Sequence, residues 1–152
     1  MEARSKLTAI GMALVLATAT ACVSGGVDQP SNGDGGGGTA TTVYRAGTVA
    51  MSGDESFTYS DVVLTFESDP ASVTIEATAG GATYTWIGGF TRAGDAVSTD
   101  PLPEASAGDQ DLMILTGSTP SDTALTGTLT ERYPKNGTTF EVSGGFSATR
   151  VQ

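Results

Sequence analysis

The sequence predicts an all-β domain, either a small antiparallel β-barrel of the meander type or a β-sandwich, with about seven strands. Three observations predict it. From Val43 onward Val, Ile, Thr, Tyr and Phe dominate, and Gly and Pro punctuate at short intervals. No segment keeps apolar residues at spacings of three and four for the length of a helix. The segment Val43 to Gln152, about 110 residues, is a usual size for one domain with a modest core.

The first strands are expected over Val43 to Met51 and Phe57 to Phe66. A turn around Asp69-Pro70 then pairs Phe66 with Val73 and Leu64 with Ile75. Gly80-Gly81 suits the positive backbone angles of a two-residue hairpin turn, which sets Ala77 against Tyr84, Ile75 against Trp86 and Val73 against Gly88. Three consecutive strands thus agree on one apolar side. After a further strand at Leu112 to Thr116, Asn136-Gly137 is the strongest turn signal in the chain. It opposes Tyr133 to Phe140, Leu129 to Gly144, Gly127 to Phe146 and Leu125 to Ala148, and a two-residue slip would leave each side chain on the same face. Glu131 falls on the apolar side and is expected to project past the end of the core, close to the turn. The stretch Arg92 to Gln110, with Pro101, Pro103 and several acids, is expected to be the one long mobile loop. The pairs Gly88-Gly89 and Gly144-Gly145 are expected to mark bulges or tight sheet bends rather than an internal repeat.

Ahead of this domain, residues 1–21 have the form of a signal peptide. Arg4 and Lys6 precede the uncharged run Leu7 to Ala21, which is too short to span a bilayer comfortably and ends in the small residues Ala19-Thr20-Ala21. Followed by Cys22, this end resembles a bacterial lipobox, in which the cysteine sulfur receives a diacylglycerol and a peptidase cuts before it. Ala19 stands where lipoboxes most often have Leu, and Ala19-x-Ala21 also suits an ordinary signal peptidase. Both routes cut after Ala21, so they differ only in the lipid anchor on Cys22. Residues 22–42 then form a Gly-, Ser- and Thr-rich linker too poor in apolar area to offset the entropy of ordering. As flexible coil, such a tether has a reach of roughly 25 Å.

Composition removes whole classes of chemistry. The chain has no histidine and Cys22 is its only cysteine, which excludes Ser-His-Asp and Cys-His nucleophiles, imidazole or thiolate zinc sites and any intrachain disulfide. Cleavage after Ala21 takes Glu2, Arg4 and Lys6 from the 17 acids and 7 bases, leaving 16 and 5, a side-chain charge of −11. The remaining bases, Arg45, Arg92, Arg132, Lys135 and Arg150, are scattered along the chain, so nucleic acid is not an expected partner.

Tyr84, Trp86 and Phe90 share one side of a strand and are the candidate ligand-binding residues, as core or as a stacking platform for a sugar or an apolar molecule. Glu104, Asp109 and Asp111 are oxygen donors of the kind calcium takes, but Asp-x-Asp lacks the rest of a calcium loop, and no metal or cofactor is expected. Carboxylate pairs such as Glu55 with Asp61 or Glu131 with Glu141 leave a glycoside hydrolase as the remaining enzymatic route, with no apolar pocket signature beside them. Lys135 lies beside a turn and makes a poor desolvated nucleophile.

The lipobox-like end, the Gly-rich spacer and the small β domain together resemble the small surface lipoproteins of actinobacteria, including the mycobacterial lipoprotein antigen type. Within the domain the likeness rests on Leu125-Thr126-Gly127-Thr128 and Phe140-Glu141-Val142, and the paired cysteines of that antigen type are missing. The resemblance implies an exported, membrane-anchored envelope protein without catalytic activity, immunogenic or adhesive in role, and carries over no site residues. Expected partners are the membrane through the anchor, together with an envelope or extracellular protein, a glycan or an apolar ligand. The alternative is a calycin-like barrel carrying a lipid or other apolar molecule, with Tyr84, Trp86 and Phe146 as wall residues.

Overall fold

Short turns between long strands leave each strand beside the next, and the chain folds as a meander that closes on itself. The computed structural model describes residues 40–152. The signal peptide of residues 1–21, Cys22 and the linker as far as residue 39 lie outside the described residues. The strands are β1 (Thr41–Gly53), β2 (Phe57–Ser68), β3 (Ala71–Ala79), β4 (Ala82–Ala93), β5 (Ala96–Thr99), β6 (Leu102–Glu104), β7 (Gly108–Ser121), β8 (Ala124–Lys135) and β9 (Thr138–Arg150). Antiparallel pairing runs from β1 through β4, on to β5 and β7, then through β8 to β9, and β9 returns to β1. β5 and β6 both lie between β4 and β7, so they are two halves of one stave. The result is an eight-stave antiparallel barrel, of a width that side chains fill or that takes one small ligand.

The predicted registers of the hairpins hold pair for pair. Ala77 faces Tyr84, Ile75 faces Trp86 and Val73 faces Gly88, while Leu64 and Phe66 oppose Ile75 and Val73. In the last hairpin Tyr133, Leu129, Gly127 and Leu125 oppose Phe140, Gly144, Phe146 and Ala148. Asn136 and Gly137 both adopt positive φ, as a primed turn requires.

One expectation is corrected here. Arg92 to Gln110 is not a long loop: it contains β5 and β6 and buries Val97, Leu102 and Glu104. Asp100-Pro101 interrupts the stave, because proline cannot donate to the ladder, and leaves pieces too short for alternation to show in the sequence. The glycine pairs carry no shift within their own hairpins, where the β3–β4 and β8–β9 registers run through them. Gly88 and Gly144 also admit close neighbours. A Cβ on Gly88 would stand 2.6 Å from Cδ2 of Leu102, and one on Gly144 would stand 2.5 Å from the Ala50 carbonyl oxygen and 2.7 Å from the Met51 sulfur. Register shifts occur between β6 and β7 and between β7 and β8, and also between β2 and β3 and between β1 and β9, the last within Ser143 to Thr149, the stretch that holds Gly144-Gly145. At these last two shifts Gly47-Thr48 and Ser60-Asp61 interrupt the in-and-out alternation of β1 and β2 together, and Asp61 takes a positive φ.

Inward rows from all staves make one core, including Val49, Leu64, Ile75, Trp86, Met113, Leu115, Leu125 and Leu129. Outward rows carry mostly Thr, Ser and charged residues, with Ile87 and Val151 the exposed large apolar side chains among the described residues. This is opposite to the apolar outer band of a barrel that sits in lipid. Gly144→Ala is expected to cost about 1–3 kcal/mol by overpacking against β1. Gly89→Ala, whose Cβ would meet nothing nearer than the Ala71 oxygen at 3.8 Å, should stay within about 0.5 kcal/mol of the parent. Urea unfolding followed by the fluorescence of Trp86, the sole tryptophan, measures both.

Candidate functional site

The two ends of the barrel differ. At one end, the start of β1, the ends of β2, β4, β7 and β9, the start of β3 and Val97 of β5 converge around a cavity of about 490 Å³. That volume lies in the range of small-molecule pockets. Its apolar wall is Tyr44, Phe66, Phe90 and Val97. Phe66 packs edge-on against both Tyr44 and Phe90, with ring centroids 6.0 Å and 5.1 Å apart. Arg92, Arg150, Glu67 and Asp122 lie around it, with hydroxyls from Thr42, Ser68, Thr119 and Ser121.

Tyr84, Trp86 and Phe90 all occupy the inward row of β4, but at different depths. Phe90 lines the cavity, whereas Trp86 is fully buried below it, with Leu102 filling the level of Gly88 between them. Tyr84 belongs to the opposite end, where it packs on Tyr59 and Trp86. Phe146 lies in the filled core. The sequence reading did not identify Tyr44, Phe66, Val97, Arg92 or Arg150 as site residues. Their parity along the strands is readable, but their convergence requires the ring to be closed.

The opposite end is polar and internally paired. Glu131 is corrected here: it does not project past the core but is 0% exposed, and Tyr59 Oη donates to its Oε2 at 2.7 Å. The reason is length, because the β8–β9 ladder continues beyond Glu131 and Tyr133, two residues further on, is also buried. Asp111 is buried and accepts from the Trp86 indole N–H at 3.3 Å. Glu55, in the β1–β2 turn, accepts from the Tyr133 hydroxyl and from Lys135, and so ties that turn to the last hairpin. Lys135 in turn sits over the Phe140 ring.

The carboxylate pairs proposed from sequence are not brought together. Glu131 points inward while Glu141 lies on the outer face, bonded to Arg132. Asp61 pairs with Arg45 at 3.0 Å on the outer face, and Glu55 is engaged as above. Of the calcium candidates, Glu104 and Asp111 are buried and Asp109 is exposed. Among the described residues no three such side chains gather to hold a metal.

Glu104 has a perturbed titration. Burial pushes its carboxyl up, but the Ser106 hydroxyl at 2.7 Å and the backbone N–H groups of Ala107 at 2.6 Å and Ser106 at 2.9 Å, with a further backbone bond at Thr85, outweigh this and hold it below the ordinary value. A carboxyl depressed in the folded state contributes its full stability above the unfolded value of about 4.3 and loses it as pH falls through the lower folded value.

Comparison with known proteins finds no matching family model, no matching curated protein and no matching solved structure. The cavity and its lining therefore carry the functional argument.

Glu104→Gln is expected to lower stability near pH 7 by about 1–3 kcal/mol and to flatten the acid limb of the stability profile. Urea midpoints measured from neutral pH down to about pH 3 read both effects.

Proposed function

We propose that this protein is an exported, membrane-tethered binding barrel of the cell envelope, without catalytic activity, that takes one small and largely apolar molecule into its open end. The carrying observation is the cavity walled by Tyr44, Phe66, Phe90 and Val97 at one end of a barrel whose middle is filled. This is the calycin-like alternative in a restricted form. The layers below hold Leu102, Trp86 and Tyr59, so the passenger occupies the mouth and does not run the length of the barrel. A small pocket with a few polar groups around an aromatic wall is the usual form of such sites. The non-catalytic reading is supported by the buried carboxyls: Glu104, Asp111 and Glu131 are each taken up by donors of the barrel itself.

Export and anchoring rest on the charged start, the apolar run and the lipobox-like end at Cys22. A diacylglycerol on Cys22, at about 0.8 kcal/mol per buried methylene, would hold the protein at a membrane. Ala40, the first described residue, lines the cavity.

Binding is tested with N-phenyl-1-naphthylamine, a neutral probe that brightens in apolar surroundings. Saturable 1:1 binding is expected, weakened roughly tenfold by Phe90→Ala and blocked by Ala71→Trp, which fills the entrance from an exposed position. Absence of saturable binding, or binding indifferent to both changes, rules the site out. For the anchor, Cys22→Ser expressed from the full chain in a bacterial host should move the protein from the membrane fraction to the soluble or secreted one. Continued sedimentation with membranes would exclude lipidation as the attachment.

A further inference from the structure

We infer that the molecule taken at the barrel mouth carries an oxyanion head, a carboxylate or phosphate on an apolar tail, and that Arg92 and Arg150 read that head. The inference rests on the binding role proposed above and adds the class of ligand.

The five basic side chains of the barrel divide in a telling way. Arg45 pairs with Asp61, Arg132 with Glu141 and Lys135 with Glu55. Arg92 and Arg150 make no ion pair among the described residues, and both line the cavity. In a barrel this rich in acid, two cations left to neutral partners at the same place are unusual. Their neutral partners hold them in position without cancelling their charge. Nε–H of Arg92 donates to the Gly94 carbonyl at 3.2 Å and Nη2 to Thr119 Oγ1 at 2.9 Å, while Nε–H of Arg150 donates to the Gln152 carbonyl at 3.0 Å. A guanidinium has five N–H donors, so Arg92 keeps donors beyond the two it uses, in the fork geometry that fits carboxylate and phosphate.

Strand parity gives a second, independent argument. Arg92 follows Phe90 on the inward row of β4, and Arg150 follows Phe146 and Ala148 on the inward row of β9. Both therefore rise from the barrel wall directly above the aromatic layer. The two acids at the cavity approach differently. Glu67 belongs to the outward row of β2, where it accepts from Ser72 Oγ at 3.2 Å, and Asp122 lies in the turn between β7 and β8. Charged inward-row residues at this end are thus both positive, and an amphiphile with its tail on Tyr44, Phe66 and Phe90 would present its head to them.

The test displaces N-phenyl-1-naphthylamine with three ligands of one tail length: decanoate, 1-decanol and decyltrimethylammonium. A pocket that recognised only the tail would favour decanol, because the carboxylate must shed water to enter. The expected result is that decanoate competes roughly tenfold better than decanol, since hydrogen bonds to charged groups are the strong ones. In the double variant Arg92→Gln/Arg150→Gln this preference, measured as the ratio of decanoate to decanol in the same variant, should vanish, and Arg150→Gln alone, which leaves the Arg92–Thr119 bond in place, should lose part of it. Decanol equal to or better than decanoate, preference for the cation, or an unchanged preference in the double variant would overturn the inference. Each of these leaves the mouth pocket standing, whereas failure of the naphthylamine itself to bind removes the pocket.

Discussion

Pairing of β9 with β1 turns a ribbon of antiparallel strands into a ring, and from that closure every inward side chain must share one confined volume. Large residues then require small ones opposite or beneath them. Leu102 occupies the room left at Gly88, Met51 reaches into the room left at Gly144, and Phe146 lies across from Gly127. The glycines are thus part of the packing, placed where a methyl group has nowhere to go. With no disulfide open to it, the domain holds together through this filling and the ladder bonds around the ring.

Closure also forces polar groups into company. A carboxylate on an inward row cannot turn back to water, so it needs donors from across the barrel. Tyr59 reaches Glu131 from β2 to β8, and Trp86 reaches Asp111 from β4 to β7. Edge-to-face contacts link the same residues, with Tyr59 and Trp86 rings 5.9 Å apart and Phe57 5.1 Å from Tyr59. One end of the ring is knitted shut by this polar and aromatic mixture, with Glu55 as its outermost tie. At the other end Arg92 reaches Thr119 from β4 to β7, and there the inward rows finish in Phe and Tyr beneath two arginines.

Much of the architecture was legible because local turn chemistry and strand parity agree. Gly80-Gly81 and Asn136-Gly137 fix their hairpins to the residue, and the alternation of Val73, Ile75 and Ala77 marks one face without ambiguity. What escaped was whatever depends on distance around the ring. Glu131 looked misplaced near a turn because its partner Tyr59 lies 72 residues away in sequence. The stave at Ala96 to Glu104 passed for a loop, since Pro101 divides it and neither piece is long enough to display a period of two. Of the candidate binding residues, Phe90 was visible on its own strand as an inward aromatic. Arg92 and Arg150 looked scattered because they are far apart along the chain, and only closure sets both at one rim.

That divided stave shapes how the ring would come apart. β5 and β6 have 4 and 3 residues, and β6 meets β4 through a single register pair, whereas the β8–β9 seam beside the other side of β7's partner runs through twelve from Ala124 to Lys135. Two places in the ring are thus thin in ladder pairs, this divided stave and the β1–β9 closure with its four, and thermal fluctuation parts a sheet first where fewest ladder bonds resist it. Val97 sits on this weak stave and also in the cavity wall, so the hoop's thinnest slat doubles as the side of the cup. Because Val97 belongs to both, a change that slackens this slat reaches the side of the cup at once, while the long β8–β9 seam is left as it stands.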